Sequence, residues 1–253
     1  MTIGVDHVAL ISQLEGALAS HVSPERALAT QRFFPHPISA LGVPNADVAA
    51  IARSTMLGCP ELASAHWLIV ADHFARSHGH HEHMILASAL AANVARDLDD
   101  NGDLLNMIKG WLEADVSNWA QCDDLCIKPL YLYLQRHPHL LVRIRAWGTS
   151  DGAWCRRASN VAQVKFVGRN KDFDLAHMFT NCERLLADPD PYVQKGIGWL
   201  LKATSQREPE SVLAFLRAHH ARIEKPTLRY ATEKLTPDLR RRFAATTVLV
   251  RHP

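Results

Sequence analysis

The sequence predicts an all-α fold built from repeats, on three observations. Nearly every segment between the Pro, Gly and Asp/Asn punctuation carries apolar residues three and four apart, which is the helical period, and strand-like alternation is nearly absent. Consecutive helix pairs recur at about 35 to 45 residues, the spacing of HEAT-like repeats, in which an antiparallel pair buries its apolar face only by stacking on its neighbours. No Gly/Ser/Pro-rich linker interrupts the series, so residues 1–253 are expected to form one domain, a solenoid with a concave face. Periodicity alone leaves an irregular helical bundle open as the alternative.

The elements follow in order. Helices are expected over 6–21, 24–34 and 45–56, the second marked by Ser23-Pro24-Glu25, because Pro and an acid suit a first helical turn. Five pairs come next: 60–76 with 80–98, 102–113 with 117–136, 139–148 with 151–167, 172–187 with 190–204, and 208–220 with 226–234. A helix over 237–246 closes the series. Cys59-Pro60-Glu61 marks one start, and Asp188-Pro189-Asp190-Pro191 marks another.

Composition narrows the function classes. A chain of 253 residues, 47% hydrophobic and 21% charged, is ordinary for a soluble globular protein and argues against general disorder. Apolar runs such as Ala63 to Ala71 are broken by His or Asp, so no membrane span is expected. Residues 1–16 carry Asp6 and Glu15 and no basic start, so no signal peptide is expected and the protein is placed in the cytoplasm, near the nucleoid. The five cysteines are an odd, scattered set and read as reduced thiols. Cys122 and Cys126 share a helical face, but tetrahedral zinc needs two further ligands and none is signalled nearby.

Charge divides the chain. Residues 1–140 hold 8 Lys+Arg against 15 Asp+Glu, a net −7, whereas residues 141–253 hold 20 against 11, a net +9. Such asymmetry suggests that one end faces a polyanion, nucleic acid first among them.

Three segments carry candidate chemistry. In 117–125, Trp119 and Asp123 lie four apart, on one helical face, where an aromatic plane beside a carboxylate suits a sugar. The alternative on spacing alone is a core Trp with an acid favoured by the helix dipole. In Trp154-Cys155-Arg156-Arg157-Ala158, two arginines interrupt an apolar pattern, and the planar guanidinium suits phosphate or a salt bridge. In 192–199, Gly196 and Gly198 sit inside a helix at a cost of roughly 1 kcal/mol each relative to Ala, which suggests close helix packing or close approach of a ligand. Gln194, Lys195 and Trp199 can share one face of that helix.

In this order, the three segments resemble the bacterial DNA alkylation-repair glycosylases of the AlkD family, which are built from HEAT-like repeats. The matching residues are Trp119 to Asp123, Trp154 to Ala158 and Gln194 to Trp199, with a fainter match from Phe33-Phe34 through Gly42-Val43-Pro44. The resemblance spans about residues 30–235 and is dense between 117 and 202. It implies that Asp123 is the catalytic aspartate, that Trp119 and Trp199 line the deoxyribose of the damaged nucleotide, and that Arg157 holds the DNA backbone. Arg156, Lys195, Gln194, Phe33 and Phe34 are the further expected DNA contacts. Where the family often has a Tyr facing the lesion this chain has Phe33 or Phe34, a departure that bears on lesion preference more than on catalysis.

The implied chemistry is self-consistent. An N-alkylated purine is cationic and leaves readily, so the sugar is what needs help: positive charge builds on C1′ and O4′. A nearby carboxylate stabilises that charge, and indole faces attract cations. The expected partner is double-stranded DNA carrying 3-methyladenine or 7-methylguanine, bound by a monomer with no metal or organic cofactor. A catalytically inactive HEAT-like protein that binds damaged or branched DNA is the alternative, and a protein-binding scaffold a third. His78, His80, His81 and His83, within six residues at a helix start, read as a solvated turn rather than a metal site. His219-His220 and Arg240-Arg241-Arg242 read as phosphate-facing or solvated charge.

Overall fold

The computed structural model describes residues 6–169 and 173–249, and side chains up to residue 244. The described residues form helices and connections, with no strand among them. Two compact units divide the chain, Met1–Pro138 and His139–Pro253. The boundary has a local cause. His137, before Pro138, leaves the helical region at φ −124° and ψ 63°, as steric conflict with a following proline ring requires.

The first unit contains α1 (His7–Ala19), α2 (Pro24–Gln31), α3 (Asn45–Leu57), α4 (Ser64–Arg76), α5 (His81–Val94), α6 (Asp103–Ala114), α7 (Trp119–Leu125) and α8 (Tyr131–Arg136). Its centre is α5, buried continuously from His81 to Ala91 and packed against α3, α4 and α7. Residues 84–94 are apolar nearly all round, which is what a helix enclosed on every side requires. Fully buried Phe74, Ile85, Leu86, Leu90, Leu104 and Ile108 form its core, each removal from water worth roughly 1.5–3 kcal/mol. Trp111 is also fully buried, and its indole N–H donates to Asp72 at 2.8 Å.

Two expected elements of this unit differ in detail. The helix expected over 60–76 begins at Ser64: Leu62 N–H closes a single turn onto Cys59 C=O, and Ala63 is extended. The helix expected over 117–136 is continuous but widens into one π turn at Cys126–Leu130, between α7 and α8. Pro129 lies inside that turn, and the wider winding accommodates a residue that has no N–H and whose ring crowds the preceding turn.

The second unit contains α9 (Leu141–Ala146), α10 (Ala153–Val161), α11 (Val164–Val167), α12 (Leu175–Arg184), α13 (Pro191–Ser205), α14 (Pro209–Ala218), α15 (Lys225–Ala231) and α16 (Pro237–Leu249). Its centre is α13, which packs on α10, α11, α14 and α15. Asp190 caps it, accepting from the N–H groups of Tyr192 and Val193 at 2.7 and 3.2 Å. The helix expected over 151–167 is interrupted at 162–163, so α10 and α11 are separate. The start of the helix expected over 172–187 lies at residue 172, outside the described residues.

The glycines of α13 are explained by helix packing. A Cβ at Gly196 would lie 3.3 Å from Arg157 Cγ and 3.4 Å from Val161 on α10, and one at Gly198 would lie 3.1 Å from the Tyr230 ring on α15. The absent side chains let both helices approach α13, which offsets the propensity cost. No described helix is long and apolar enough to cross a membrane.

Candidate functional site

The Trp119–Asp123 pair sits at the head of α7. Asn118 caps this helix, its side-chain oxygen accepting from Ala120 and Gln121 N–H at 3.1 Å each, so Trp119 is the first helical residue and Asp123 lies one turn on. Trp119 is half-buried rather than a core residue. Its ring stacks on Phe34 with centroids 5.6 Å apart and planes at 29°, and its N–H points at Phe33 C=O, 3.4 Å away. Phe34 is buried beneath the indole, whereas Phe33 is 72% exposed.

The two adjacent carboxylates of α7 are both buried. Asp123 is 8% exposed. Asp124 is 6% exposed, and one of its oxygens lies 2.6 Å from Lys128 Nζ, an ion pair within the helix.

In the second unit the two arginines of α10 have separate environments. Arg156 makes a two-point ion pair with Asp188, at 2.6 and 3.3 Å, and donates to the carbonyls of Ser150 and Asp151 at 3.0 and 2.7 Å. The hydrogen bond to Asp188 holds its guanidinium even more firmly protonated than usual. Arg157 is 5% exposed, lies along Gly196 and donates to Tyr192 C=O.

On α13, Gln194 is buried, and its amide NH2 lies 3.0 to 3.1 Å from the carbonyls of Leu185, Leu186 and Asp188. Lys195 is exposed, with its ammonium 5.1 Å from the centre of the Tyr192 ring. Trp199 is half-buried in the wall of a cleft of about 620 Å³, among Lys165, Arg169, Lys202 and Arg207, with no acid in the lining among the described residues. Lys202 also pairs with Glu233 at 2.8 Å and lies 4.6 Å from the centre of the Tyr230 ring.

Sequence reasoning missed these cleft cations. The signal was present: Lys165 and Arg169 are four apart, and Lys202 follows Trp199 by three, spacings that place residues on a common helical face. The structure also groups Ser159, Asn160, Gln163 and Asn181, all buried, where Asn181 Nδ2 donates to Ser159 Oγ at 3.1 Å and to Asn160 Oδ1 at 3.0 Å. Arg145 Nε donates to Gln163 Oε1 at 3.1 Å, and burial pulls its pKa below the ordinary arginine value.

The histidine-rich turn departs from expectation. His81, Glu82 and His83 are buried rather than solvated, and the turn helps line a cavity of about 120 Å³ with Asp115, Asn118 and Gln121. Asp115 pairs with His78 at 3.3 Å and Arg76 at 3.8 Å, and burial pushes its pKa up. Among the described residues no three His, Cys, Asp or Glu side chains are grouped to hold a metal ion. Near the C-terminus, Arg241 lies 3.5 Å from Asp238 and Arg242 lies 3.1 Å from Glu210, while His219 packs on Phe215.

Residues 14–235 match the family described as "DNA alkylation repair enzyme". Two solved structures share the fold. A protein described as a predicted DNA alkylation repair enzyme from Enterococcus faecalis superposes with a TM-score of 0.75 at 15% identity, over 86% of this chain and 98% of that one. The crystal structure of AlkD2 from Streptococcus mutans superposes with a TM-score of 0.62 at 14% identity, over 92% of this chain and all of that one. No curated protein matches the sequence.

Proposed function

The chain belongs to the DNA alkylation repair enzyme family, and we propose that within it this protein is a glycosylase that hydrolyses the N-glycosidic bond of cationic alkylated purines in duplex DNA. The observation that carries this is the head of α7. There a half-exposed indole and a carboxylate one turn behind it share a face, with the indole orientation set by Phe34 and Phe33.

The reaction needs little from the leaving group. A purine alkylated at N3 or N7 departs as a neutral base with the electron pair of the glycosidic bond. Water adds to C1′ and loses a proton. Asp123 stabilises the positive charge that develops on C1′ and O4′, and the face of the Trp119 indole attracts it.

Each unit has its part. The first supplies Asp123 and Trp119. In the second, Trp199, the cations of its cleft, Lys195, Arg156 and Arg157 are the proposed contacts to the DNA. Phe33 faces the DNA beside Trp119, whereas Phe34, buried beneath the indole, supports that ring and does not reach the DNA; Gln194, also buried, holds the 185–188 loop of the second unit. Residues 1–253 act as one functional domain, as a cytoplasmic monomer, and the reaction uses no cofactor.

The test is incubation of purified protein with duplexes containing 7-methylguanine, uracil or hypoxanthine, followed by assay of free base. Only 7-methylguanine should be released, because the neutral bases are poor leaving groups without a proton donor. Equal release of all three overturns the sugar-directed mechanism. Duplex binding with no release supports the inactive DNA-binding alternative.

A further inference from the structure

The histidine-rich turn at the head of α5 is the motif that the proposed chemistry leaves unused, and its contacts give it a purpose. Glu82 is 2% exposed, and its carboxylate accepts three backbone N–H groups from the loop between α2 and α3: Leu41 at 2.8 Å, Gly42 at 2.7 Å and Val43 at 3.2 Å. Charge-assisted bonds to backbone N–H are the strong class of hydrogen bond, and three of them fix the approach of a segment some forty residues away. His81 N–H donates to Ser39 C=O at 2.6 Å, and His80 Nδ1 is hydrogen-bonded to Ser39 Oγ at 2.8 Å. Gly42 completes the seat. Its φ is +76°, and a Cβ there would lie 2.1 Å from Ser23 C=O.

The same turn also holds the head of α7. Asn118 spends its side-chain oxygen on the α7 cap, so its NH2 is the group that faces His81 Nδ1, at 3.4 Å. Gln121 Nε2 lies 3.4 Å from His81 C=O. The His81 ring also packs on Phe34, with centroids 5.8 Å apart. The head of α5 thus grips both partners of the aromatic stack: the loop that carries Phe34 and the cap that precedes Trp119.

We infer that Glu82 is a positioning residue that holds the 39–43 loop so that Phe34 and Phe33 C=O set the orientation of the Trp119 indole. Its role in the reaction rests on the function proposed above. The clamp itself is a statement about the ground-state structure and is measured separately.

The experiment compares the wild-type chain with Glu82→Gln. The amide keeps the shape but turns donor hydrogens toward N–H groups that need acceptors. The readout is the Trp119 indole N–H resonance, assigned by its loss in Trp119→Phe, with Trp111 as the internal control because its bond to Asp72 lies outside the clamp. In Glu82→Gln the Trp119 resonance should move while that of Trp111 holds. Base release at saturating duplex should fall roughly tenfold to a hundredfold, the scale of small misplacements, with affinity kept within about threefold, so that the loss is in kcat.

The effects of Glu82→Gln and Phe34→Leu on base release should be non-additive, because they act through one stack. An unmoved Trp119 resonance in the folded variant overturns the clamp, whatever happens to activity. A moved resonance with unaltered base release overturns the role in the reaction. If Glu82→Gln does not fold, Ser39→Ala removes only the bond to His80 and is judged by the same resonance. If the wild-type chain releases no base, the proposed function fails while the resonance still decides the clamp.

Discussion

The two units treat their ionisable groups differently. In the first, which is acidic, the cations Arg76, Lys109 and Lys128 pair with acids four residues away on their own helices, and a buried carboxylate, Glu82, anchors backbone. In the second, which is basic, four cations, Lys165, Arg169, Lys202 and Arg207, gather in the cleft around Trp199, and Lys202 pairs with Glu233, distant in sequence. The charge division read from sequence at residue 140 coincides with the fold division after Pro138, since His139 and Leu140 add no charged group to either sum. The asymmetry is therefore a property of the folded units rather than of an arbitrary cut. Like charges gathered in one cleft raise the local attraction for an anion.

The largest expected effect breaks the comparison at its acidic end. Asp123→Asn should lower base release by at least tenfold, about 1.4 kcal/mol in the barrier, with duplex affinity kept. Asp124→Asn should cost far less activity, because Asp124, one residue on, points about 100° round the helix from the face that Asp123 shares with Trp119. Full activity in the Asp123 variant, with loss in the Asp124 variant, would move the reaction to the other carboxylate.

The next effect sharpens the basic end. Each of Lys165→Ala and Arg169→Ala should weaken duplex binding and reduce the salt slope, by roughly 0.9 for each phosphate no longer neutralised. Lys109→Ala in the first unit should leave that slope unchanged. Equal slopes in all three variants would remove the cleft from the DNA-binding surface.

Arg157→Ala tests whether a cation of the second unit also has a structural task. It strips a donor from Tyr192 C=O and the packing along Gly196, and should cost about 2 kcal/mol in denaturant-measured stability. It should also weaken binding to damaged and undamaged duplex alike. Unchanged stability would mean that Arg157 serves the DNA only.

The smallest effect concerns acid. Burial is the main reason that the pKa values of His81 and His83 lie below the ordinary 6.5; Glu82 opposes it at both, Asp124 also at His81, and Glu15 also at His83. A folded pKa below the unfolded one means that the unfolded chain binds more protons between the two. Stability is thus present in full above 6.5 and declines as pH falls from there toward the folded values. Denaturant midpoints at about pH 5.5 and pH 7.5 should differ in that direction, and combined His81→Gln and His83→Gln should shrink the difference. A midpoint indifferent to pH would place the acid response elsewhere.

Much of this molecule was legible from its sequence. The helical period, the helix starts at Pro24 and Pro191 and the charge division all depend on neighbours a few residues away, or on simple counting, and the structure keeps them. The pairing of Trp119 with Asp123 on one face was legible for the same reason. What the tertiary structure alone decided are the fates of polar residues whose partners are distant in sequence. Local spacing does not reveal that Arg156 would pair with Asp188, thirty-two residues on, while Arg157 turned under Tyr192 C=O. Nor does it reveal that the histidine-rich turn would be buried, because what makes its burial tolerable is a set of loop N–H groups some forty residues back that share Glu82 as their common acceptor. A buried polar group is stable only where its hydrogen bonds are completed, and at these positions the completing groups arrive only when the helices pack.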